Sequence, residues 1–151
     1  MTEPFFGGLA ARSGALFLAT VAGLAGCSRS GFDDRPLPPP TPETVRDRFD
    51  QARSGQAVDV TVGVPFAIEL SSNFEWREAE RPAFIARPDI VWGPTIRAQI
   101  DGATGGANWQ VHLYVASAPG EGVIRLVERR PWEPGEALSR YTVTVRATAA
   151  R

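Results

Sequence analysis

Ala57-Val58-Asp59-Val60-Thr61-Val62-Gly63-Val64-Pro65-Phe66-Ala67-Ile68-Glu69-Leu70 is the stretch on which the fold turns. Its period is two. Val58, Val60 and Val62 share one face, and after Gly63 the residues Phe66, Ile68 and Leu70 share another, predicting two strands with inward apolar sides. The same alternation returns downstream. Trp109, Val111, Leu113 and Val115 make a third inward set, with Gln110, His112 and Tyr114 facing out. Ile124 and Leu126 mark a fourth strand, and Tyr141, Val143 and Val145 a last one. Weaker candidates are Glu75–Arg77, Ala83–Ala86, Ile90–Trp92 and Thr95–Ile100, punctuated by Gly63, Pro88, Gly93-Pro94, Gly102, Gly105-Gly106 and Pro119-Gly120. Seven to eight short strands without a long helical pattern predict an all-β chain folded as an antiparallel β-sandwich.

Composition narrows the function. The chain has 151 residues, 16 basic against 17 acidic, for a net charge of −1, and this balance argues against a nucleic-acid partner. All the basic residues are arginine, scattered among acids. One Cys excludes an internal disulfide and a cysteine-based metal cluster. One His makes a His-ligated metal centre or a Ser-His-Asp triad improbable, so no metal and no cofactor are expected.

The first 26 residues read as a lipoprotein signal peptide. Arg12 precedes an uncharged apolar run, Gly14–Gly26, too short to span a bilayer, which takes about 20 residues. The run ends in Leu24-Ala25-Gly26-Cys27, which resembles the lipobox of bacterial lipoproteins and implies acylation of Cys27, membrane attachment and residence in the cell envelope, at the outer membrane or on the periplasmic face. Ser28–Pro42, with five prolines from position 36, predicts an extended tether of roughly 45 Å at about 3.1 Å per residue. Thr41-Pro42-Glu43 has the form of a helix start, so residues 43–55 are expected as a short helix or as further linker. The domains expected are thus 1–26 (leader), 27–55 (lipidated Cys and tether) and 56–151 (sandwich).

No catalytic constellation emerges. His112 on an outward face reads as solvated. Ser71 and Ser72 lack a histidine to activate them, and Glu78/Glu80 and Glu133/Glu136 read as solvated or ion-paired surface. Gly102–Gly106 carries neither a Lys nor a following helix, which removes a phosphate cradle. What stands out is Glu128-Arg129-Arg130-Pro131-Trp132-Glu133-Pro134-Gly135, a loop whose Trp is either a binding anchor or a lid over the end of the core.

These residues are similar to a known set. Gly105-Gly106-Ala107-Asn108-Trp109 leading into a strand, Gly122–Glu128 leading into Arg130-Pro131-Trp132-Glu133, the last strand Tyr141-Thr142-Val143-Thr144-Val145 and the opening Val58–Leu70 together resemble the chagasin-type inhibitors of papain-like cysteine peptidases, over roughly residues 56–147. The resemblance implies an immunoglobulin-like β-sandwich, and the chain is expected to be a monomer. It implies a non-enzymatic inhibitor that wedges three loops from one end of the sandwich into a peptidase cleft. Two loops carry over: Gly105 and Gly106, then Arg130, Pro131 and Trp132. The first is shortened. Ser71-Ser72-Asn73-Phe74-Glu75-Trp76 keeps Asn73 and Phe74 where the family has Asn-Pro-Thr-Thr-Gly-aromatic, and Glu128 stands in place of an aromatic beneath Arg130.

Overall fold

The computed structural model describes residues 31–133 and 135–150. Cys27 and the leader lie outside them. Among the described residues, eight strands form two four-stranded sheets: β1 (Asp47–Phe49), β2 (Ala57–Thr61), β3 (Pro65–Ser72), β4 (Glu75–Glu80), β5 (Asp89–Pro94), β6 (Asn108–Val115), β7 (Gly120–Arg129) and β8 (Ser139–Thr148), with one α-helical turn, α1 (Arg97–Ile100). Sheet order is β1-β3-β6-β5 in one and β2-β8-β7-β4 in the other. This is the expected immunoglobulin-like sandwich, antiparallel except at two edges. There β1 runs parallel to β3 and β2 parallel to β8.

The core between the sheets follows the quoted stretch. Phe66, Ile68 and Leu70 from β3 meet Val58 and Val60 from β2, Ile124 and Leu126 from β7, and Tyr141, Val143 and Val145 from β8. Each such side chain contributes about 1.5–3 kcal/mol by leaving water. Phe66 stacks on Tyr114 with centroids 5.5 Å apart.

The expectation for β6 is overturned. Gln110, His112 and Tyr114 face the inter-sheet core and are almost fully buried, His112 being 1% exposed. Val111 and Leu113 point the other way, into a second, smaller apolar cluster with Val45, Ala67 and Val91. Trp109, expected inward, is only partly buried, and its Nε1–H donates to Leu37 O at 2.9 Å. The reason is that β6 is a central strand covered on both faces, so alternation marks two apolar faces without saying which one meets the other sheet.

What covers the second face is the segment expected to be a tether. Leu37 N–H donates to Thr95 O (2.7 Å), Pro36 bridges Ile96, and Pro40 lies so close to Gly93 that a Cβ there would sit 2.8 Å from its ring. Thr41 is no helix cap; its hydroxyl donates to the Glu69 carboxylate on β3. Val45 is buried against Ala67 and Val111. Residues 33–49 thus form a strap across the sheet, and prolines suit it because a strap needs few of its own N–H groups paired. The helix at 43–55 does not form either. Asp47–Phe49 adds to the free edge of β3, Phe49 packs on Phe66 at 6.0 Å, and only a 3-10 turn, Gln51–Arg53, follows. An isolated short helix is marginal in water, and an open sheet edge satisfies the same backbone groups with more burial.

Three minor elements also differ. Ala83–Ala86 is a loop with one bridge, Ile85 to Ala116; Thr95–Ile100 becomes α1; and Gly93-Pro94 closes strand β5 instead of making a turn.

Candidate inhibitory loops at one end of the sandwich

Strand register brings the three loops together. Ser72 at the end of β3 pairs with Asn108 at the start of β6, and Asn108 pairs with Pro94 at the end of β5. In the other sheet Glu75 pairs with Arg129 and Glu128 with Ser139. The β3–β4 turn (Asn73, Phe74), the β5–β6 connection (95–107) and the β7–β8 loop (130–138) therefore leave the same end. The Asn73-Phe74 turn crosses from one sheet to the other, which fixes the two halves of this end relative to each other.

Polar bonds brace that crossing. The Ser72 hydroxyl donates to the Glu128 carboxylate and accepts from Phe74 N–H at 2.7 Å. Next to it, Trp76 N–H donates to Gln110 Oε1 across the sheets at 2.6 Å. Glu128, near the end of β7, thus ties that strand to the β3–β4 turn.

Phe74 gathers the third loop. Its ring meets Trp132 edge-on with centroids 5.9 Å apart, and the Arg130 guanidinium lies 5.5 Å over it. Arg130 Nη1 also donates to Glu133 at 2.7 Å. Edge-on aromatic pairs and cation–π contacts of this kind each contribute about 0.5–1.5 kcal/mol. They hold Trp132 out from the sandwich while leaving it 69% exposed, so it is not a lid over the core. Pro131 and Asn73 are exposed beside it.

The second loop is built around a residue the sequence did not single out. Gln99 Oε1 accepts from Thr95 N–H (2.7 Å) and Ile96 N–H (3.2 Å), while Nε2 donates to Gly105 O (3.2 Å) and Ala107 O (2.9 Å). Gly105 and Gly106 take φ of +86° and +88°, which side chains rarely adopt. Gly106 also abuts Gln99 Nε2, 3.3 Å from where a Cβ would be. Outside the loop, Asp33 O accepts from Ala98 N–H and Arg35 O from Arg97 N–H, at 2.7 and 2.9 Å, so the strap clasps α1. Beside the glycines lies a hollow of about 480 Å3, bordered by the half-exposed Trp92 and Ile100. Ile96 is the residue before α1, and a capping signal built on Ser, Thr, Asp or Asn therefore passes over Gln99.

His112 is not part of this end. Its ring is enclosed by the core with neither nitrogen hydrogen-bonded among the described residues, and burial pushes its pKa down to about 4 against the opposing pull of Glu75. Burial likewise pushes the Tyr114 and Tyr141 phenols up, Tyr114 donating to Glu78 Oε2 at 3.2 Å.

Known structures share this architecture. The structure aligns with the cysteine protease inhibitor EhICP2 from Entamoeba histolytica at a TM-score of 0.59 and 15% identity, covering 72% of this chain and 100% of that one. The chain has the fold of that inhibitor. It aligns with amebosin at a TM-score of 0.56 and 19% identity, covering 67% of this chain and 96% of that one. No protein-family model matches the sequence, and no curated protein matches it significantly. The shared sandwich agrees with the resemblance drawn from Gly105-Gly106 and Arg130-Pro131-Trp132.

Proposed function

We propose that this chain is a lipid-anchored inhibitor of papain-like cysteine peptidases, acting in the manner of chagasin by inserting loops into the active-site cleft. The observation that carries the reading is the cluster of Phe74, Arg130 and Trp132 at the same end as the Gly105-Gly106 loop. An exposed Trp held in place by its neighbours loses little freedom on binding, which is what an anchor residue requires. The glycines present bare backbone that can approach a narrow cleft closely. Blocking of this kind needs no nucleophile, metal or cofactor.

Titrating the purified chain against papain tests the reading. Residual activity should fall to zero as the chain is added, and Trp132→Ala should weaken inhibition about thirtyfold, the equivalent of about 2 kcal/mol. No loss of papain activity with excess chain sinks the proposal. One observation favours a second reading, a non-inhibitory binding or structural module of the cell envelope. The Asn73-Phe74 turn is two residues long and braced by Ser72 and Glu128, so it projects little.

The anchor is proposed from Leu24-Ala25-Gly26-Cys27, with attachment to the envelope through diacylglycerol and fatty acid on Cys27. Cys27→Ser removes the thiol that thioether formation needs and should leave the precursor with its leader uncut. A variant that fractionates with membranes and migrates like the wild type refutes the lipoprotein assignment. Because residues 33–49 lie on the sandwich, they add nothing to the reach of the anchor.

A further inference from the structure

We propose that Gln99 is the positioning residue of the Gly105-Gly106 loop, fixing the conformation in which that loop meets its peptidase. The inference rests on the inhibitory reading for its affinity consequences and on the structure alone for its conformational ones.

A loop with two consecutive glycines at positive φ has more backbone freedom to lose than any other dipeptide. Inserted into a cleft without prior ordering, it would pay that entropy at binding. The Gln99 amide removes the difficulty by using all its hydrogen-bonding capacity locally. Its oxygen takes the two N–H groups on the incoming side of the loop, Thr95 and Ile96, and its nitrogen gives both protons to carbonyls on the outgoing side, Gly105 and Ala107. One side chain therefore spans the connection from end to end. Thr95 Oγ1 adds a parallel bond to Ala107 O at 2.7 Å. The helical turn that carries Gln99 is itself held from outside by Asp33 O and Arg35 O of the strap.

Two substitutions separate loop positioning from simple support of α1. Gln99→Ala loses both halves of the amide's work. Gln99→Glu keeps acceptors for Thr95 and Ile96 but has no N–H for Gly105 and Ala107, toward whose carbonyls it turns a carboxylate. The full chain in detergent is measured three ways: inhibition of papain, amide exchange of Thr95 and Ile96, and backbone order of Gly105–Ala107 by NMR relaxation, with thermal melts to confirm folding. Both variants are expected to inhibit about tenfold more weakly, or about 1.4 kcal/mol, and to show lowered order at Gly105–Ala107. Only Gln99→Ala should speed exchange at Thr95 and Ile96. If Gln99→Glu inhibits like the wild type, or if order at Gly105–Ala107 is unchanged in both variants, Gln99 does not position the loop. If the wild type itself fails to inhibit papain, the functional reading falls, and the relaxation measurement still decides the role of Gln99.

Discussion

Replacing His112 by Leu should stabilise the protein, and should do so increasingly as the pH falls. The ring lies in the core, stacked beside Tyr114 at 6.4 Å, and neither nitrogen has a hydrogen-bond partner among the described residues. An unpaired buried polar group costs about 1–3 kcal/mol, and Leu fills a similar volume without it, so a gain of that order is expected at pH 7. Acid adds a second contribution. Burial lowers the His112 pKa from 6.5 to about 4, so below pH 6.5 the unfolded chain takes up a proton that the folded chain refuses. Stability is therefore whole above the unfolded value and is lost as pH falls, levelling off below the folded one. At about 1.4 kcal/mol per tenfold change in proton affinity, the loss between pH 7 and 4 is on the order of 3 kcal/mol. Urea denaturation of wild type and His112→Leu at pH 7, 5.5 and 4 measures it. The difference between the two chains at each pH isolates what the side chain at position 112 contributes. Parallel stability curves would refute the reasoning, since they would mean that the ring is protonated as easily in the fold as out of it.

Other sites give sharper contrasts. Leu126→Ala, in the middle of the core, should cost about 2–5 kcal/mol, whereas Trp132→Ala should cost less than about 1 kcal/mol by chemical denaturation, because its ring is mostly exposed and meets Phe74 edge-on. Equal costs would make Trp132 a core residue. Gly93→Val should push Pro40 away and lift the strap, seen as new protease cleavage near Pro36–Pro42; an intact strap would show that the close approach is not needed. Inserting Pro-Thr-Thr-Gly between Asn73 and Phe74 should tighten inhibition of papain, because four residues added to a surface turn cost little entropy and let it project further. Unchanged inhibition would show that the short turn is no handicap.

The sequence by itself determined the sandwich. Val58, Val60, Phe66, Ile68, Leu70, Ile124, Leu126, Tyr141, Val143 and Val145 are where period two places them, because each belongs to a strand with one clearly apolar face. It also marked Trp132 and the paired glycines, whose cost in exposure or backbone freedom is visible in a string of letters. Tertiary structure decided the rest. Alternation in β6 is ambiguous in principle once both faces are covered, and what covers the second one comes from the Pro-rich segment more than sixty residues away in sequence. Proline content reports that a segment lacks regular pairing and says nothing about whether it is solvated or lies on a sheet. The meeting of Phe74 with Trp132, and of Gln99 with both ends of its loop, follows from strand register at one end of the sandwich. Register is fixed by how the whole apolar surface packs, so no local window of residues contains it.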